Sequence, residues 1–201
     1  IVSALATVSV KGSHRLDPGR PLNQSVKPLT VQVIAMDWKW LFIYPAQNVA
    51  TASELYIPEN TPIRFRLTSD SVIASFFIPR LGSQVYAMPG RKSTLFLSAD
   101  GPGEYFGENE QFSGKWYSEM WFKVHVLTKE RFSAWARSAA RAPLRLDIKR
   151  FQHLRAPSRG YPPTTYSSVA FPVFDDVAGK YRTVKNLSSG SPKSKKGEGH
   201  D

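Results

Sequence analysis

The 201-residue chain is predicted to be mainly β, a sandwich or small Greek-key barrel followed by a helical extension. Three observations predict this. From about residue 28, short segments alternate apolar and polar residues, the mark of half-buried strands. Clusters of Pro, Gly, Asn and Asp punctuate them at close intervals. After Leu127 the apolar period lengthens from two toward four, and no βαβ alternation or internal repeat is present.

The segments justify themselves in chain order. "TVQVIAM" (30–36) is a first strand. "DWKWLFIYP" (37–45) places Trp38, Trp40, Phe42 and Tyr44 on one face of an extended chain, with Asp37, Lys39, Leu41 and Ile43 on the other. Apolar residues therefore occupy both faces, so part of this strand is expected to meet a second protein or a membrane surface. "PENTP" (58–62) turns the chain into "PIRFRLT", where Ile63, Phe65 and Leu67 oppose Arg64, Arg66 and Thr68. "SVIASFFI" (71–78), "STLFLS" (93–98) and "WFKVHVL" (121–127) complete the set, with turns at "MPGR" (88–91) and "ADGPG" (99–103).

Helical periodicity then takes over. Thr128 is a predicted N-cap, Glu130 complements the dipole, and Phe132, Trp135, Ala136 and Ala139 share a face before Pro143 stops the helix. A second helix is expected from Asp147, with Ile148, Phe151 and Leu154 on its stripe, and a third including Phe174, Val177 and Tyr181. From Lys185 onward "KNLSSGSPKSKKGEGHD" has the composition of a disordered tail.

Charge is uneven along the chain. Residues 1–128 hold 12 Lys and Arg against 10 Asp and Glu, while residues 129–201 hold 15 against 6, which places most of the net +11 in the C-terminal extension. With no base-reading motif beside it, this excess points to a solvated or anionic-surface-facing segment and not to nucleic acid. Cysteine is absent, which excludes disulfides, zinc thiolate sites, thiol nucleophiles and thiolate-bound copper. His14, His125, His153 and His200 show no metal-ligand spacing, and His125 is expected to face solvent from its strand. Hydrolase, P-loop and dinucleotide fingerprints are missing.

The opening "IVSALATVSV" is too short to span a bilayer, for which about 20 residues are needed. It reads either as a buried strand or as the end of a transmembrane helix, with "KGSHRLDPGRPLNQSVKP" as a polar exit segment. Lys11, Arg15 and Arg20 sit awkwardly with the positive-inside rule if that segment is extracytoplasmic.

One stretch, "GENEQFSGKWYSEM" (107–120), has the turns and spacing of a metal-binding loop but few ligands. Glu108, Glu110 and Glu119 suit a hard cation or, more simply, a solvated acidic loop.

Together, "DWKWLFIYP", "TSDSVIASFFIPRLGSQVYAMPGR" and "GPGEYFGENEQFSGKWYSEMWFKV" resemble the extracytoplasmic domain of subunit II of the haem–copper respiratory oxidases, and within it the ubiquinol oxidase branch, the cytochrome bo type. The resemblance covers roughly residues 10–180. It implies a cupredoxin fold, a Greek-key sandwich, hung from transmembrane helices of which the opening run is the last piece. The implied organisation is helix end and exit linker (1–27), cupredoxin-like domain (28–128), aromatic-rich helical region (129–184) and basic tail (185–201).

In the cytochrome c oxidase branch this domain carries a two-copper centre, held by an upstream His and a C-x-E-x-C-x-x-x-H-x-x-M loop. Laid on that pattern, the upstream His falls at Ala74, the cysteines at Asn109 and Ser113, the second His at Tyr117, the loop Glu at Gln111, and the Met at Met120, the one ligand retained. Bridging thiolates are what let two coppers share an electron, and neutral hard oxygens do not replace them.

The implied function is that of a non-catalytic, copper-free subunit II of a proton-translocating ubiquinol oxidase, on the periplasmic side of a bacterial inner membrane. The resemblance implies no catalytic, cofactor-binding or metal residue in this chain, and haems and copper in subunit I. The implied partners are subunit I and the other subunits, the membrane and the ubiquinol used by the complex, with no cytochrome c. Trp38, Trp40 and Tyr44 are candidates for subunit packing. Arg80 and Arg91 are candidates for pairing with acidic groups or haem propionates of subunit I, or for ordinary surface ion pairs. The alternatives are a free cupredoxin-like module docking on anionic membrane or protein, and an electron-transfer protein with a residual metal site.

Overall fold

The computed structural model describes residues 26–180. Among the described residues, eleven strands form two main layers. A six-stranded sheet runs in the order β11-β3-β2-β1-β5-β8, from β1 (Leu29–Met36), β2 (Lys39–Tyr44), β3 (Val49–Ala52), β5 (Ile63–Ser69), β8 (Ser93–Leu97) and β11 (Thr164–Tyr166). A three-stranded sheet runs β4-β10-β9, from β4 (Glu54–Pro58), β9 (Gly103–Gly107) and β10 (Phe122–Leu127). The hairpin of β6 (Ala74–Ile78) and β7 (Gly82–Ala87) joins that layer through a bridge between Phe77 and Glu108. Parallel pairing of β1 with β5 and of β10 with β4 gives the crossed connectivity of a Greek-key sandwich.

Alternation along the strands decides what fills the space between the layers. Val31 and Val33 of β1, Trp40, Phe42 and Tyr44 of β2, Phe65 and Leu67 of β5, and Phe122 and Val124 of β10 all point inward and are buried. Trp40, Phe76 and Phe122 meet ring to ring at 5.3–5.6 Å between centroids.

A second apolar cluster lies on the outer face of the six-stranded sheet. Ile34 and Met36 of β1, Leu41 and Ile43 of β2, and Ala50 and Ala52 of β3 pack there against Phe151, Leu154, Tyr166, Val173, Phe174 and Val177. These come from the C-terminal arm, which contains α2 (Ile148–Arg155), β11 and α3 (Val173–Gly179). The doubly apolar strand is thus covered by its own chain, so every residue of β2 is buried without a second protein or a membrane. Within the arm, β11 pairs with β3 and extends the six-stranded sheet.

Helix α1 (Lys129–Ala139) begins where expected, with the Thr128 hydroxyl accepting from the Arg131 amide. Asp147 caps α2 in the same way through Arg150. Ile148 departs from the expected stripe: it stands on the first turn and is 59% exposed, while Phe151 and Leu154 are buried. Residues 71–73 form a bend, so the strand predicted from Ser71 starts at Ala74. The opening apolar run, Tyr181 and the basic tail lie outside the described residues. Among the described residues, no helix is long and apolar enough to cross a membrane.

Candidate functional site

The loop between β9 and β10 folds back along β6, and that contact is the centre of the site. Asn109 is buried, 6% exposed, and its Oδ1 accepts from the Ser75 amide at 2.8 Å and from the Gln111 amide at 3.1 Å. Its Nδ2 donates to the Gln111 carbonyl at 2.7 Å and to Ser113 Oγ at 3.1 Å. Ser75 Oγ in turn accepts from the Glu110 amide and from Gln84 Nε2. One amide side chain therefore uses both its donor and its acceptor ends to hold the loop on the strand.

Aromatic packing completes the loop. Gly107 lies against Phe122 so closely that a Cβ would fall inside the ring's van der Waals envelope. Gly114 has a φ of +101° and faces Trp38. Trp38 does not sit on the strand with Trp40 and Tyr44, because it occupies the tight turn before β2 with a φ of +59°, a left-handed conformation rare for a bulky residue. From there its ring meets Trp116 edge-on, with centroids 4.8 Å apart. Tyr117 leads a short 3₁₀ turn (Tyr117–Glu119) and packs on Phe112. Met120 is buried in the main core, and its carbonyl accepts from Trp40 Nε1 at 3.3 Å.

Among the positions expected from the copper pattern, Asn109 and Ser113 meet directly, Ala74 is buried in the main core beside Ser75, and Met120 is buried below. This donor set does not fit two copper ions. It holds one thioether, an amide engaged at both ends, a hydroxyl, a phenol and a methyl group, with no thiolate or imidazole. The acidic trio is not assembled either: Glu119 accepts from Arg159 Nε at 2.7 Å, and Glu108 and Glu110 are exposed. Partial burial, then the neighbouring Glu110, holds the Glu108 carboxyl above its usual range. Among the described residues, no three His, Asp or Glu side chains could hold a metal ion together.

The remaining expected site residues separate. Trp40 and Tyr44 are fully buried in this chain's own core, which corrects their assignment to subunit packing. Tyr44 is tied there by accepting from the Tyr56 amide, and burial pushes its phenol above the usual range. Trp38 is half-buried. Arg80 and Arg91 are both exposed, but at opposite ends of the β6–β7 hairpin. His125 is not simply solvated: its ring stacks on Tyr56 at 4.5 Å, with Nδ1 and Nε2 each 3.4 Å from a glutamate oxygen, of Glu104 and Glu54 respectively.

Comparison with known proteins shows the same domain. A family profile described as the periplasmic domain of cytochrome c oxidase subunit II matches residues 45–127. The solved periplasmic domain of subunit II of the cytochrome oxidase of Bradyrhizobium japonicum superposes with a TM-score of 0.53 at 25% identity, over 55% of this chain and 91% of that one. The cytochrome bo(3) ubiquinol oxidase subunit 2 of Pseudomonas aeruginosa is 42% identical over 181 residues, and the ubiquinol oxidase subunit 2 of Acetobacter aceti is 44% identical over 194. This chain belongs to the oxidase subunit II family. It aligns over 90% and 94% of its own length with those two relatives but spans only 55% and 63% of theirs.

As a subunit II domain, the chain keeps the cupredoxin-like sandwich and replaces the metal loop's interior with hydrogen bonds and rings. Two interactions escaped sequence reasoning. Lys39, 2% exposed, donates from Nζ to the carbonyls of Leu154 at 2.9 Å and Ala156 at 2.6 Å. Asp70 receives Arg155 and Lys180 of the arm. A charged residue at a strand end or in a strand otherwise apolar was the available signal for each, but its partner lies 85 or more residues away.

Proposed function

We propose that this protein is the copper-free subunit II of a membrane-bound, proton-translocating ubiquinol oxidase of the bacterial inner membrane, its domain standing on the periplasmic side. The observation that carries this reading is the Asn109 network: the loop that would hold copper is closed by its own hydrogen bonds, in a chain whose 40–45% identical relatives include ubiquinol oxidase subunits. Electron entry through this domain has no ligands to support it. Quinol would deliver electrons within the membrane to subunit I, which would hold the haems and copper, and no cytochrome c would dock.

The domain's own work is then structural, capping and stabilising the outward surface of subunit I. Its proposed boundaries among the described residues are the cupredoxin-like domain to residue 128 and the aromatic-rich C-terminal region from residue 129. Half of the eight exposed large apolar residues described, Val72, Ile73, Tyr86 and Phe112, belong to segments around the start of β6 and the metal-type loop, and that end is the face assigned to docking. Arg91 follows Pro89, which bridges Ser69 at the same end, so it is better placed than Arg80 to reach an acidic partner.

Tagging the full-length chain in its native membrane and purifying it in mild detergent tests the proposal. A haem-containing complex that oxidises ubiquinol should co-purify. Recovery of the chain alone, or of a complex that oxidises cytochrome c and not quinol, would refute it.

A further inference from the structure

The loop joining β5 to β6, residues 70–73, has one buried anchor and an exposed apolar tip. Val72 and Ile73 are 47% and 46% exposed. Asp70 behind them has a side chain only 8% exposed, its amide donating to the Ala35 carbonyl at 2.9 Å. Ser69 Oγ accepts from the Ser71 amide and donates to the Val72 carbonyl, so the backbone of the loop is tied down from its first residues.

The carboxylate of Asp70 is held from the far end of the chain. Arg155 Nε, at the last turn of α2, donates to Oδ2 at 2.7 Å, and Lys180 Nζ, just beyond α3, lies 3.3 Å from Oδ1 and donates to the Asp70 carbonyl at 3.2 Å. Open clefts flank this bridge on two sides, and both are lined by Asp70, Arg155 and Lys180. Both cationic side chains are about two-fifths exposed or less, at 35% and 41%, while the carboxylate is buried between them. A buried carboxylate without its cations is costly, so the loop's geometry and the arm's seating depend on each other.

We infer that Asp70, Arg155 and Lys180 form a clasp through which the C-terminal arm positions the Val72–Ile73 loop for docking against the membrane-embedded oxidase subunit. The inference rests on the proposed function for the identity of the partner. It assigns the arm a role beyond covering the outer sheet face: the ends of two of its elements meet at Asp70, two residues before Val72. Asp70 is a positioning residue here, since it is itself too buried to touch a partner.

The test compares full-length tagged chains in the native membrane: wild type, the Arg155→Ala/Lys180→Ala variant, and the same variant with Asp70→Asn added. The readouts are haem retained per tagged chain after a stringent wash, melting temperature, and hydrogen exchange at residues 70–74. The double variant should retain about fivefold less haem, the lower end of coupling between linked sites, with faster exchange at 70–74 and unchanged exchange in β1 and β5. Adding Asp70→Asn removes the buried carboxylate that Arg155 and Lys180 had held, so melting should recover in part while haem retention stays low. If retention in the double variant equals wild type, the clasp has no role in docking and the inference falls alone. If retention recovers together with melting, the loss reported stability only, and the inference falls. A wild-type chain that retains no haem overturns the proposed function and this inference with it.

Discussion

Lys39 of β2 reaches through the outer apolar cluster to the C-terminal end of α2, donating to the Leu154 carbonyl at 2.9 Å. The last carbonyls of a helix have no intrahelical partner, and a cation there also meets the negative end of the helix dipole. Lysine in the middle of a sheet is thus a helix cap delivered from another layer. Tyr161 closes the site from the side, its ring centroid 5.2 Å from Nζ.

Replacing Lys39 with Met should leave those carbonyls without a donor and lower stability by about 1–2 kcal/mol at neutral pH. Hydrogen exchange at residues 153–156 should rise more than in β1. Unchanged protection there would show that packing alone seats the helix.

The same lysine makes stability depend on pH. Burial lowers its pKa from the ordinary 10.5 to about 8, with nearby Asp37 offsetting part of the shift. Between those values the unfolded chain binds more protons than the fold, so this group's contribution rises with pH through that window and is lost as pH falls through about 8. Comparing urea unfolding at pH 7.5 and 9.5, wild type should gain about 1–2 kcal/mol relative to Lys39→Met. Parallel pH profiles for the two proteins would contradict the burial argument.

Asn109→Ala removes the acceptor of the Ser75 amide and the donor to Ser113 at once. The expected cost is about 1–3 kcal/mol, the penalty of leaving buried polar groups unpaired. Thermal melts should show it, with limited proteolysis moving to residues 110–116.

Gly107→Ala should destabilise through overpacking, by about 1–3 kcal/mol, because the added methyl meets the Phe122 ring in the main core. A compensating Phe122→Leu should recover part of the loss in a double-mutant cycle. Independent, additive effects of the two changes would mean that the ring is not the obstacle.

Installing the missing ligands as Ala74→His, Asn109→Cys, Ser113→Cys and Tyr117→His, with Met120 kept, should confer copper binding under reducing reconstitution. Metal analysis and a visible thiolate band check it. Failure to bind copper in a variant that still melts cooperatively would put the ligand-by-ligand correspondence in doubt.

Much of this architecture could be read from local pattern. The strands at 30–36, 62–68, 93–98 and 121–127 and the helix after Thr128 depend on alternation, turn residues and caps, all interactions within a few residues, and each lies where the pattern puts it. The lack of copper ligands in the metal-type loop also follows from residue identity, since no fold makes thiolates from Asn and Ser. The short strands β3 and β11, four and three residues long, left no such mark, because their formation depends on an edge offered by the neighbouring strand.

Long-range pairing settled the rest. The double apolar face of β2 reads in one dimension as an unsatisfied surface; whether a partner or the same chain covers it depends on where residues 148–177 return, and here Phe151, Leu154 and Phe174 return onto Leu41 and Ile43. Trp38 shares the apparent face of Trp40 and Tyr44 until a turn with positive φ swings it to Trp116. Lys39 and Asp70 look like exposed charges until the arm arrives with two carbonyls for one and two cations for the other. Local chemistry thus specifies the strands and the missing copper ligands, while burial and charge pairing, which depend on residues more than 100 positions apart, exist only in the folded chain.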